Sequence, residues 1–293
     1  MIPSDYLKQL RRVEIRSRMV SQELMAGQCD SIFKGRGMDF FDVREYSPGD
    51  DVRRIDWNVT ARLRKTYIKR LVEERELTVL ILVDLSASGH FGTTGKTKRE
   101  LAAELAGTLA FSALRNNDRV GLILFAGEVE HYLPPRKSRP HVMRLLRDLL
   151  THTPRSEGTN LGSALTFAAK VTHRPSLLFL LSDLHDENYE LAFKTANQRH
   201  DLLALQLVDP REQTLPNVGL ALVRDAESGE TLEVNTSDPK VRQAYEFAAW
   251  QRQTNARQFF NRSRIAHLEI QTEKPWINPL RTFLAHQARR RVA

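Results

Sequence analysis

Five residues carry the clearest chemistry in this sequence: Asp84, Ser86, Ser88, Thr159 and Asp183. The first three stand in Asp84-Leu85-Ser86-Ala87-Ser88, directly after the apolar run that begins at Leu77. Alternate positions of an extended or turning segment can point the same way, so one carboxylate and two hydroxyls can converge while Leu85 and Ala87 pack inward. Asp183 ends a second apolar run, and Thr159 lies in the turn-rich stretch Pro154 to Asn160 ahead of it. Two carboxylates and three hydroxyls, with no His or Cys, make a hard oxygen donor set suited to Mg²⁺ or Mn²⁺. Such a set leaves a coordination position open, which an acidic side chain of a partner protein can fill. Taken alone, Asp84 to Ser88 has a plainer alternative, a strand-end turn whose side chains satisfy nearby backbone donors.

The elements that must position these residues are legible from residue 77 onward, where short apolar runs alternate with amphipathic stretches. That is the pattern of an α/β fold with a doubly wound, mostly parallel sheet. Leu77 to Asp84, Arg119 to Phe125, Ser176 to Ser182, Asp201 to Val208 and Ala266 to Gln271 are the expected strands, and their unbroken hydrophobicity indicates burial on both faces. Ligand sites in such sheets form at the carboxyl ends of the strands, where Asp84 and Asp183 stand. Thr97 and Glu100 have capping-box spacing ahead of Leu101, Leu105 and Leu109, which predicts a crossover helix; others are expected over His141 to Leu150 and Leu161 to Val171. Only Ala126 and Gly127 separate the second strand from Glu128 to Leu133, so that segment should be an antiparallel edge strand, ended by Pro134 and Pro135. Gly219 to Arg224 and Thr231 to Asn235, flanking Ser228 and Gly229, read as an inserted hairpin before a long helix from about Asp238 to Ser263. The expected organisation is an accessory module at 1–75 (a helix to about Met25, then a polar, charged region), a sheet domain at 76–272 and a helical tail at 273–293.

Composition narrows the function classes. The 293 residues carry a formal net charge of +8, yet residues 76–210 hold 15 basic against 15 acidic residues, so the sheet region is neutral. Acidic residues interleave with basic ones in both flanking regions, apart from Arg289, Arg290 and Arg291, and this favours solvated surface over a nucleic-acid face. The lone Cys29 excludes an intrachain disulfide and a thiolate metal cluster. No apolar run approaches the roughly 20 residues of a membrane span, and a cytoplasmic location is expected. Gly95-Lys96-Thr97 has the ending of a phosphate-binding loop, but His90 stands where that loop needs its first glycine. Ser86 lacks the Gly-x-Ser-x-Gly elbow of hydrolases, and His185 with Asp186 reads as a solvated loop.

The order Asp84-x-Ser86-x-Ser88, then Thr159 in Gly158-Thr159-Asn160, then Asp183 resembles the metal-ion-dependent adhesion site of von Willebrand factor A-like domains. More narrowly, Gly35-Arg36-Gly37, Arg44-Glu45-Tyr46, Pro48-Gly49-Asp50-Asp51, Arg53, Ile55-Asp56-Trp57 and Ala61-Arg62 resemble the bacterial domain of unknown function 58 family, a likeness that runs over nearly the whole chain. Gly89 departs from it, standing where the family commonly has Met. The resemblance implies a von Willebrand factor A-like fold, metal at the five residues, and association with MoxR-type AAA+ ATPases as a non-enzymatic adaptor or substrate-recruiting partner. Arg44, Asp50, Arg53, Asp56, Trp57 and Arg62 then form either a partner-recognition surface or an internal lattice of ion pairs. Two other readings stay open: an enzyme hydrolysing nucleotides or phosphoesters with Mg²⁺ at the same site, and a nucleic-acid binder.

Overall fold

The computed structural model describes residues 4–25, 38–73, 76–93, 95–186, 189–224 and 230–292. Gly35-Arg36-Gly37, Cys29, Ser228 and Gly229 lie outside the described residues. In chain order the elements are α1 (Ser4–Met25), β1 (Met38–Glu45), α2 (Trp57–Leu63), β2 (Tyr67–Glu73), β3 (Thr78–Asp84), α3 (Lys98–Arg115), β4 (Arg119–Phe125), β5 (Val129–Arg136), α4 (Arg139–Thr151), α5 (Leu161–Val171), β6 (Leu177–Ser182), α6 (Glu190–Arg199), β7 (Asp201–Val208), β8 (Leu220–Arg224), β9 (Thr231–Asn235), α7 (Pro239–Arg262), β10 (Ala266–Gln271) and α8 (Ile277–Val292). A six-stranded sheet runs β10-β7-β6-β3-β4-β5, parallel throughout except for the antiparallel edge strand β5. The fold is α/β, and its parallel strands start within a residue of where the apolar runs place them.

Period-two alternation divides the core. Val79, Ile81 and Val83 of β3 face a helical layer of α1, α3, α4 and α8, whereas Leu80 and Leu82 face α5, α6 and α7. Each such side chain contributes about 1.5–3 kcal/mol on leaving water, which is why both faces must be covered. The capping box is formed: Thr97 accepts from the Glu100 amide and Glu100 from the Thr97 amide. Helix α1, expected in a separate module, lies in the first layer with Val13, Val20 and Leu24 buried. It approaches α3 so closely that a Cβ on Gly107 would fall 2.5 Å from Ser17 Oγ. The last helix is likewise packed, through Trp276, Leu280, Leu284 and Ala288. Apolar positions in an amphipathic helix show that a face is buried, not what buries it.

Pro134 and Pro135 do not end β5, which continues to Arg136. The register passes from Leu122↔Leu133 to Val120↔Arg136, so the two prolines oppose Gly121 in a bulge on the edge strand, where a missing N–H costs no ladder bond. A Cβ at Gly121 would meet the Leu133 carbonyl oxygen at 2.9 Å. Strands β8 and β9 form the expected hairpin.

Residues 38–73 hold the charged motif. Strands β1 and β2 pair antiparallel, and Ile55 bridges to Ile68. Arg44 donates to Asp50 at 2.6 Å and the Ser47 amide donates to the same carboxylate at 2.9 Å; these bonds hold the Asp50 pKa below its ordinary value. Asp56 caps α2 through the Asn58 and Val59 amides. Trp57 is 70% exposed beside exposed Arg53 and Arg62.

Candidate metal centre

Strands β3 and β6 are neighbours, and between them the chain order reverses: β4 and β5 extend the sheet to one side of β3, β6 and β7 to the other. Such a switch point leaves a crevice at the carboxyl ends of the strands. The register Val83↔Leu181 brings Asp84 level with Ser182, so the two carboxylates emerge side by side.

Asp84 Oδ1 accepts from the Ser86 amide at 2.9 Å, and Oδ2 from Ser182 Oγ at 2.6 Å. The hydroxyls of Ser86 and Ser88 lie 2.9 Å apart. Asp84, Ser86, Ser88 and Asp183 line one small pocket with Ser182 and Lys98, and the acids and serines are all buried. Leu85 packs into the core as expected, but Ala87 is exposed, because the chain turns into a short 3-10 helix at Ala87–His90. Past β6, Leu184 takes a left-handed φ of 64°, and its amide bonds Ser182 Oγ at 3.0 Å. Strain of this kind in a non-glycine residue persists only where surrounding contacts impose it, and it concentrates at functional sites.

Thr159 stands on the loop that leads into α5. It follows Gly158, whose φ of 75° is open to glycine, and lines an adjoining cleft of about 640 Å³ beside α7, together with Asp183, His185, Glu212, Tyr189 and Arg252. Asp183 belongs to both spaces. His185 is exposed, as its loop suggests, but Asp186 accepts from the Leu161 amide at 2.8 Å and so anchors the start of α5. Lys96, the lysine of the apparent phosphate loop, is held by Glu104 at 2.7 Å.

Lys98 is the residue that sequence reasoning missed. It is 2% exposed, its ammonium lies 2.6 Å from Asp183 Oδ2, and it also bonds Glu212 Oε1. One sign was available: Lys98 occupies the first position of α3, where the positive end of the helix dipole disfavours a cation. Burial and then the Asp183 charge push the Asp84 pKa up, against the hydrogen bonds from Ser182 and Ser86. Burial opposes the Asp183 charge as well, but Lys98, His185 and the hydrogen bond from Ser88 outweigh it and hold that pKa down.

These residues fit a divalent cation. The donors at Asp84, Ser86, Ser88 and Asp183 are all hard oxygens, and three carboxylates (Asp84, Asp183, Glu212) against one ammonium leave an excess of two negative charges when all are ionised. Ligand atoms of Asp183, His185 and Glu212 also lie within 4.8 Å of one another, a second grouping at the same rim that can hold a metal ion.

Further along β7's outer side, His267 of β10 stacks on Phe260 at 4.4 Å and meets Gln206 at 3.0 Å, while Gln206 donates to the Asp183 carbonyl at 3.3 Å. Burial pushes the His267 pKa down to about 4. The unfolded chain takes up this proton near pH 6.5 and the folded protein only near 4, so this contribution is complete above pH 6.5 and is lost as pH falls to 4. Urea unfolding should show about 2–3 kcal/mol of stability lost across that window beyond what His267→Phe loses. Equal losses in the two proteins would rule out His267 as the source.

Among solved structures, the fold is similar to an aerotolerance-related membrane protein from Bacteroides fragilis, at 18% identity and a TM-score of 0.51, over 73% of this chain and 99% of that one. The SpRpn10 VWA domain matches at 10% identity and a TM-score of 0.40, over 70% of this chain and 94% of that one. No helix among the described residues is long and apolar enough to cross a membrane. Uncharacterized proteins Rv1480 of Mycobacterium tuberculosis and Mb1516 of Mycobacterium bovis are each 30% identical over 287 residues, covering 97% of this chain and 90% of theirs. The family model described as "Protein of unknown function DUF58" matches residues 42–255. With a match over most of its length and relatives aligned nearly end to end, the chain belongs to the DUF58 family.

Proposed function

We propose that this protein is a non-enzymatic, metal-dependent interaction module acting in the cytoplasm, an adaptor or substrate-recruiting partner of a MoxR-type AAA+ ATPase. The observation that carries this reading is the convergence of Asp84, Ser86, Ser88 and Asp183 on one pocket at the sheet's switch point. Asp84 and Asp183 would hold Mg²⁺ or Mn²⁺ directly or through water, and Ser86, Ser88 and Thr159 would supply hydroxyls. When bound, the ion supplies a positive charge with an open position for a partner's carboxylate. The chain's own residues orient that encounter: the Ser86 amide and Ser182 hydroxyl fix the Asp84 carboxylate, and Lys98 fixes that of Asp183. The cleft beside α7 gives the partner segment room next to the centre.

Co-purification with the AAA+ ATPase tests the reading. Capture is expected with Mg²⁺, and its loss with chelator or in Ser86→Ala, while the variant's melting temperature in chelator stays that of wild type. Capture indifferent to both treatments would reject a metal-bridged contact.

A further inference from the structure

Lys98 is unusual among the charged residues of the centre because it is the most deeply buried cation and sits at a helix end that disfavours positive charge. It is clamped between two carboxylates that are themselves fixed. Asp183 Oδ1 accepts from the His185 amide at 3.2 Å. Glu212 Oε2 accepts from the Asp209 amide at 3.0 Å, and Asp209 in turn accepts from Thr93, Arg211 and Thr272. The ammonium therefore has a built seat, and that seat opens on the pocket lined by Asp84, Ser86 and Ser88. A buried charge of this kind persists only when paired, and a second cation entering the same pocket meets both its repulsion and its claim on Asp183 Oδ2.

We propose that Lys98 is a tethered ammonium that holds Asp183 in place of a divalent ion and sets the metal concentration at which the centre fills. This inference rests on the metal reading of the same centre. Glu212 acts as its second anchor: by sharing the ammonium it loosens the claim on Asp183, so metal entry displaces Lys98 toward Glu212. The short 3-10 turn Pro210–Glu212 that carries this anchor also bonds α7, through Tyr245 to the Arg211 carbonyl at 3.1 Å, so the exchange is felt in the wall of the cleft where the partner would lie.

Calorimetric titration of Mn²⁺ into the full-length wild type, Lys98→Met, Glu212→Gln and the double variant, with thermal melts in chelator as the fold control, tests this. Lys98→Met should bind on the order of tenfold more tightly than wild type, the size of a typical coupling between sites. Glu212→Gln should bind more weakly, because the ammonium is left to Asp183 alone, and the double variant should match Lys98→Met within about twofold, as residues acting through one another do. Wild-type binding that Lys98→Met leaves unchanged or weakens overturns the inference and spares the metal reading. A Glu212→Gln loss that persists in full in the double variant makes Glu212 a ligand and overturns the relay. Absence of heat in every protein overturns the metal reading and this inference with it. If Lys98→Met does not fold, Lys98→Gln takes its place, alone and combined with Glu212→Gln, and the same results support or overturn the inference.

Discussion

In Asp84→Asn, Mg²⁺ or Mn²⁺ will no longer raise the melting temperature, and the chelated variant will melt higher than the chelated wild type. Both halves follow from one geometry. Asp84 is buried beside Asp183, and burial with that neighbouring charge makes its ionised form unfavourable in the absence of a cation. Asparagine keeps the shape and an oxygen to accept from the Ser86 amide, while its NH₂ can donate to Ser182 Oγ. Removing the charge should stabilise the metal-free fold by about 1–2 kcal/mol. On the proposed metal reading the wild type would gain its compensation from the ion: at about 100 times the dissociation constant a ligand stabilises by roughly 2.7 kcal/mol, a rise of roughly 5–10 °C for a chain of this size. Thermal melts with and without metal check it. A metal-induced rise of equal size in Asp84→Asn would remove Asp84 from the centre.

Gly127→Val should destabilise the fold by about 3 kcal/mol, the upper range for overpacking, and weaken metal binding at the same time. A Cβ at Gly127 would lie 2.2 Å from the Glu157 carbonyl oxygen, which is backbone and cannot swing aside. The segment it would displace carries Thr159, and it is strapped to the β4–β5 turn at several points. The Asn160 amide donates to the Ala126 carbonyl at 2.9 Å. Glu130 of β5 accepts from the Arg155 amide at 2.8 Å and from the Ser156 amide and hydroxyl, each at 2.7 Å. Burial works to raise the Glu130 pKa, but these bonds and that from His152 hold it down to about 2, so the strap outlasts the acid range in which ordinary carboxylates protonate. Urea denaturation and Mn²⁺ titration of Gly127→Val separate two roles. Lost stability with unchanged metal affinity would mean that the strap serves the fold without placing Thr159.

How much of this was legible depended on the range of the interaction. Thr97 and Glu100 announced the start of α3 because a capping box is a contact between residues three apart. The β3 and β6 runs announced themselves because a strand covered on both faces has no solvent-facing position to interrupt its hydrophobicity. Pro134 and Pro135 misled because a proline ends a strand only where its N–H is needed, and an edge bulge does not need it. Lys98 was hidden because its partners, Asp183 and Glu212, are 85 and 114 residues away, and a lone lysine after a capping threonine reads as surface.

The five-residue pattern from Asp84 to Asp183 shows the same division. By itself the sequence determined the donor types, their order, and the strand ends that carry Asp84 and Asp183, since those depend on local hydrophobic runs and turn chemistry. Tertiary structure alone decided that β3 and β6 are adjacent, that Thr159 and Asp183 line one cleft beside α7, and that a lysine is seated against Asp183. Strand order and the pairing of buried charges are set by contacts between segments distant in the chain, and a single sequence carries no local signal of which distant segment will arrive.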